Sequence, residues 1–293
     1  MPKRKSIKFK IAVFGTLFFC LLVGVGYLLL WSPIFKIGDI IIFGNQEISS
    51  QQIQDIARQE INKKILGFLP KNNIFLIDTD ALKQTILQEI SQISRVVISN
   101  ELAGLQGAKL AIVIEERQPR AIVCRIGVPT LVGDSMEQST STNSSLRLRS
   151  GLQSADQEIF NQCFYVDKQG IAFKSAPQTK GSLILQLAAP YDLSLGAEAV
   201  KPPVLRAVEQ LKKSLAETVS GLSIDYFIII SSQEIYAKTQ AGWLIYFDIN
   251  TDLSHQAQIL KELLKQKITN TKNLEYIDLR LGEKVFYKET PKN

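Results

Sequence analysis

His255 is the one imidazole in 293 residues, so acid–base, nucleophilic or metal chemistry must use it or do without a histidine. A serine triad would need His255 to meet a serine on a sharp Gly-x-Ser-x-Gly elbow, and the chain has no such elbow. Metal holding needs His and Cys clustered at ligand spacings, which the sequence lacks. Glu115 and Glu116 are the obvious carboxylate pair. As neighbours on a strand they point to opposite faces, which suits a charged strand end and not an acid/base couple. Gly24-x-Gly26 lies inside an uncharged apolar run and cannot serve as a phosphate loop. The expectation is therefore no catalytic, cofactor-binding or metal-binding residues, and His255 reads as a first-turn helix residue. Cys124 and Cys163 sit in two strand-like runs, AIVCRI and CFYVD. They form a disulfide if those strands pair, and two separate buried thiols if they do not. Cys20 reads as a small apolar residue of the N-terminal run.

The charge pattern places these residues. Met1–Lys10 carries Lys3, Arg4, Lys5, Lys8 and Lys10 and no acid, and Ile11–Trp31 then runs without a charge. A helix of that length spans roughly 30 Å, the thickness of a hydrocarbon core. The basic flank predicts a cytoplasmic tail at 1–10, a transmembrane helix at 11–31, and everything beyond Trp31 on the other side of the cell (inner) membrane. A cleaved signal peptide is the competing reading. Its apolar core would be shorter and would end in a small-x-small site, whereas this run ends in Leu28-Leu29-Leu30-Trp31. Of the 34 Lys and Arg, 29 remain outside the tail, against 28 Asp and Glu. That near-neutral remainder has no basic field of the kind that nucleic acid requires.

Two pieces follow. Residues 35–119 read as a small β-α-α-β-β domain. Ile37–Phe43 is a strand ending at the turn pair Gly44-Asn45. Ser49 with Gln52 predicts a capping box, and Ile53, Ile56, Ala57 and Ile61 fall at helical spacing. A loop is expected over Leu66–Asn73, then the short run Ile74–Ile77. Asp78 and Asp80 open a second helix with buried Leu82, Ile86 and Ile90. Arg95–Ser99 and Lys109–Glu115 are strands joined by a turn around Gly104–Gly107. Residues 120–288 read as a mostly antiparallel sheet with two flanking helices, one opened by Pro202-Pro203 and one capped near Thr251–Ser254. The stretch 128–158, rich in Ser, Thr and Gln, reads as a disordered insertion, with a functional binding loop as its alternative. Residues 289–293 form a tail. The fold class is α+β behind an N-terminal transmembrane helix.

These elements carry a resemblance. IFKIGDIIIFGNQEISSQQI, NNIFLIDTDALKQTI and LAIVIEERQPRAIV look like the polypeptide-transport-associated (POTRA) domain of bacterial FtsQ/DivIB division proteins. FYVDKQGIAF, with Tyr165, Asp167, Gly170 and Phe173, is similar to that family's strand pair, and LEYIDLRLGEKVFYK resembles its closing hairpin. The chain departs from the family in its short N-terminal tail, in the absence of an aromatic near Cys124 and in the 128–158 insertion. The resemblance implies a non-enzymatic divisome scaffold. It would bind small single-span division proteins of the FtsB/FtsL type outside the cytoplasm and link septum assembly to peptidoglycan synthesis. Its other partners would be divisome membrane proteins and the lipid bilayer. An anchored extracytoplasmic envelope enzyme or processing factor is the alternative. An outer-membrane translocation role would need lipid-facing barrel strands, which the sequence does not show. The implied partner-binding residues are Tyr276, Asp278, Arg280, Val285, Phe286 and Tyr287. A terminal strand at a sheet edge can accept an added strand, with alternate side chains selecting the partner. Val285 and Tyr287 share one face of that strand and Phe286 takes the other. One face must pack on the core, so the three cannot all be contacts.

Overall fold

A computed structural model of the chain describes residues 7–65, 69–102, 107–126, 160–178, 184–268, 270–282 and 284–290. The insertion expected at 128–158, most of the Gly104–Gly107 turn and residues 1–6 lie outside the described residues. The chain divides into two compact units between Glu116 and Arg117.

The first unit opens with helix α1, Ile7–Trp31. Its stretch Lys10–Trp31 is long and apolar enough to cross a membrane, and none of it is buried. Strand β1 (Ile37–Phe43), helix α2 (Ser50–Ile61), a two-residue hairpin of β2 (Lys64–Ile65) and β3 (Leu69–Pro70), helix α3 (Thr79–Glu89) and strands β4 (Ile93–Leu102) and β5 (Ala108–Glu116) follow. The sheet order is β1-β5-β4, with β1 parallel to β5 and β4 antiparallel to it. Period-2 alternation turns Ile40, Leu110, Ile112, Ile114 and Val96 to one face, where Ile53, Ala57, Leu82 and Ile86 of the helices cover them. Ile53, Leu82 and Ile86 are fully buried, each worth about 2 kcal/mol of removed apolar surface.

Local details depart from the sequence reading. Ser49 precedes α2 in extended conformation but makes no side-chain capping bond, so the Ser49–Gln52 box does not form. The turn before α2 is held by the Glu116 carboxylate, which accepts from the backbone N–H of Gln46 (2.7 Å), Glu47 (3.1 Å) and Ile48 (3.0 Å). Glu116 is thus a turn anchor. The run Ile74–Ile77 is a turn, because Leu76 and Ile77 donate back to the Asn73 carbonyl. Asp78 caps α3 as expected, accepting from Ala81 N–H at 2.9 Å. Gly44 has φ +85°, and a Cβ there would meet the Ile114 carbonyl oxygen at 2.2 Å, so the turn requires glycine.

The second unit is a nine-stranded sheet. Its strands are β6 (Ala121–Ile126), β7 (Phe160–Val166), β8 (Ala172–Ser175), β9 (Leu185–Ala189), β10 (Ile224–Ile229), β11 (Glu234–Thr239), β12 (Leu244–Asp248), β13 (Leu274–Asp278) and β14 (Phe286–Glu289). Their order is β14-β13-β12-β11-β10-β9-β6-β7-β8. Pairing is parallel for β6/β9, β9/β10 and β12/β13 and antiparallel elsewhere. The sheet is therefore mixed, since the connections through α4 (Pro202–Thr218) and α5 (Leu253–Gln266) are long enough to return the chain in parallel. Val204, Leu205, Val208 and Leu211 of α4 and Leu253, Ala257 and Leu260 of α5 share one core with the sheet. Asp252 caps α5, accepting from Ser254 and His255 N–H.

Cys124 and Cys163 lie opposite each other on β6 and β7 and are joined as a disulfide. Beside them Gln162 takes a left-handed φ of 46° where the register shifts, a bulge that puts one extra residue into β7. The Asp167–Gly170 turn is locked at nearly every atom. Asp167 pairs with Arg117 and accepts from Gln169 N–H at 2.9 Å and Ile171 N–H at 3.0 Å. Gly170 has φ +74°, and any Cβ would lie 1.7 Å from the Val200 carbonyl oxygen.

Candidate functional site: the terminal hairpin

The hairpin of β13 and β14 closes one end of the nine-stranded sheet, and β14 is its outermost strand. Register sets Ile277 opposite Tyr287 and Asp278 opposite Phe286. Cross-strand partners share a face, so Tyr287 lies on the helix-covered side with fully buried Ile277. Val285, on that same side, packs against the core. Phe286 lies on the other side. Phe286 is 53% exposed and Tyr287 46%. Tyr287 and Val285 also line an open groove of about 480 Å³ along α5, with His255, Ile259 and Leu263.

The remaining predicted residues are engaged within the chain. Tyr276 stacks on Tyr246 with centroids 5.0 Å apart, and Tyr246 stacks on Tyr236 at 3.9 Å. Arg280 covers this tyrosine row, its guanidinium carbon 5.3 Å from the Tyr246 ring centre and 5.8 Å from that of Tyr236. It donates through Nε to Asp278 Oδ1 at 2.8 Å, through Nη2 to Asp278 Oδ2, and through Nη1 to Glu234 Oε1 at 2.9 Å. The hydrogen bond with Asp278 drives the guanidinium pKa still higher, so the charge is permanent. A bidentate Arg–carboxylate pair with a second carboxylate and two rings is a rigid brace. Lys288 pairs with Glu275 across the hairpin at 2.7 Å, and that carboxylate raises the lysine's pKa.

The structure thus brings Tyr276, Asp278 and Arg280 together as one cluster and leaves Phe286 and Tyr287 displayed. Sequence reasoning missed Tyr236, Tyr246 and Glu234. The tyrosines carried a signal, since they fall directly opposite each other on adjacent strands of the same period. His255 sits in the first turn of α5, as its neighbours suggested. Among the described residues no three His, Cys, Asp or Glu gather where they could hold a metal.

Such a site is suited to recognition through an edge strand. Residues 157–280 match the family model described as cell division protein FtsQ/DivIB, C-terminal. The match runs from just before β7 to the Arg280 brace and stops short of β14. No curated protein matches the chain. Residues 157–280 thus form a domain of the FtsQ/DivIB C-terminal family, a family of non-catalytic cell division proteins.

Proposed function

We propose that the chain is a membrane-anchored, non-enzymatic scaffold of the division machinery. It binds FtsB/FtsL-like single-span proteins outside the cytoplasm and so links septum assembly to peptidoglycan synthesis. In this reading α1 is an uncleaved anchor with a cytoplasmic N-terminus, and the first unit is a POTRA-like domain. The observation that carries it is β14. An outermost strand keeps one row of backbone N–H and C=O groups free for an incoming strand, and here that strand also displays Phe286 and Tyr287. We assign direct partner contact to those two residues. Tyr276, Asp278 and Arg280 set the pitch of the hairpin from beneath, and Val285 ties it to the core.

The test is paired. Affinity for an FtsB/FtsL-type partner and thermal stability are measured for Phe286→Ala, Tyr287→Ala and a truncation after Arg280. Aromatic anchors at interfaces cost about 2 kcal/mol when truncated, roughly 30-fold in affinity. Each alanine variant should lose binding on that scale with an unchanged melting temperature, and the truncation should abolish binding. Full binding by all three in folded protein moves the site elsewhere. Affinity that falls only in step with stability makes β14 a structural strand.

A further inference from the structure

The last turn of any helix leaves carbonyl groups without intrahelical partners, and in a helix leaving a bilayer those groups have little water to turn to. In α1, Ser32 N–H takes the Leu28 carbonyl at 3.0 Å. The next two carbonyls are taken from a distance. Asn73 Nδ2 donates to Leu29 O at 2.8 Å and to Leu30 O at 3.3 Å. Asn73 is fully buried, and its Oδ1 accepts from Phe75 N–H at 2.9 Å. Backbone bonds reinforce the tie: Ile37 N–H to Asn72 O at 2.8 Å, and Ile74 N–H to Phe35 O at 2.9 Å. One side chain therefore clips the 72–77 turn onto the exit of the apolar span.

That clip fixes Phe75. Its ring is 59% exposed and lies 5.2 Å from Phe35. Tyr27 and Trp31 stack on the helix just before the exit. An exposed phenylalanine held two residues from the atoms that cap Leu29 and Leu30 sits at the level where the lipid-facing surface of α1 ends. Aromatic rings favour that level of a bilayer. We propose that the turn carrying Phe75 docks on the membrane surface, inserting its ring among the headgroups beside the emerging helix. The occupant is lipid, because the patch continues the lipid-facing surface of α1. The inference rests on the reading of α1 as an anchor. Docking would give the first unit a second attachment point and restrict its swing about residues 32–36.

The full chain is reconstituted at low density in phosphatidylcholine/phosphatidylglycerol vesicles and labelled with a polarity-sensitive thiol dye. Cys124 and Cys163 are paired and take no label, so native Cys20 reports the span. Cys20→Ser/Leu76→Cys reports the turn with the Phe75 ring kept, and Cys20→Ser/Val97→Cys reports an exposed position elsewhere on the unit, Val97 being 48% exposed. A lipid-borne quencher should quench the Leu76 label several-fold more than the Val97 label and nearly as much as the Cys20 label. Equal, weak quenching at Leu76 and Val97 with strong quenching at Cys20 overturns docking and leaves the anchor standing. Weak quenching at Cys20 overturns the anchor reading and docking with it. Shielding at Leu76 that vanishes on dilution to one chain per vesicle identifies a second copy as the occupant and also overturns the proposal.

Discussion

Asp167 shows how much one side chain can organise. Its carboxylate closes the turn that Gly170 makes possible and neutralises Arg117 in a site where both side chains are largely buried. Asp167→Asn keeps the shape and removes the charge that pairs with Arg117. Urea unfolding should report a loss of about 3 kcal/mol, the scale of a broken buried pair. Glu60 makes a prediction with a sign. The hydrogen bond from Lys63, helped by Lys71, holds its carboxyl below the ordinary value of 4.5. A depressed folded value means stability that is present above the unfolded value and lost as pH falls through the folded one. Glu60→Gln should therefore lower stability between pH 7 and 8, with the deficit shrinking as pH falls below about 4.5, as followed by denaturant midpoints. The Asp167 and Gly170 positions were legible as a motif, since a carboxylate three residues before a glycine is turn chemistry. Their partners were not. Arg117 is fifty residues away from Asp167, and nothing local announces the pairing.

At the scale of elements, periodicity carried most of the reading. The helix faces of α2, α3, α4 and α5 stand where apolar spacing put them, because one buried face forces that spacing. Short elements carried the weakest signal. The β2/β3 hairpin has two residues per strand, too few for alternation to register, and Ile74–Ile77 is apolar yet folds as a turn under Asn73. The capping box failed for a different reason. Glu116, at the far end of the unit's sequence, already holds the turn ahead of α2, which local pattern cannot reveal. The terminal hairpin was readable as an edge, whereas its brace was not, because Glu234 reaches Arg280 across 46 residues. The β6/β7 disulfide is the element-scale prediction. It closes a loop with a sequence separation of 39, for which the chain-entropy account gives about 4 kcal/mol. Replacing both cysteines by serine should lower stability by about 2–4 kcal/mol in non-reducing denaturant melts and leave partner affinity at β14 unchanged. Unchanged stability would mean that the sheet registers β6 on β7 unaided.

For the whole molecule, the proposed orientation rests on charge. Lys3, Arg4, Lys5, Lys8 and Lys10 precede the uncharged run 11–31, and the remainder is nearly balanced. A reporter active only in the cytoplasm, fused after Asn293, should be silent, and replacing Arg4, Lys5 and Lys8 by Glu should raise its activity. Strong activity in the unaltered chain would reverse the topology and with it the division scaffold. The proposed orientation would also give the Cys124–Cys163 bond a compartment in which it persists. The bond has a consequence for how the chain survives damage. The 38 residues between the two sulfurs can be cut at any peptide bond without releasing either fragment, because the cut ends stay stapled through β6 and β7. A nicked molecule therefore travels as one species on a non-reducing gel and as two pieces once thiol is added, and it keeps α1 and the β14 edge on one covalent body.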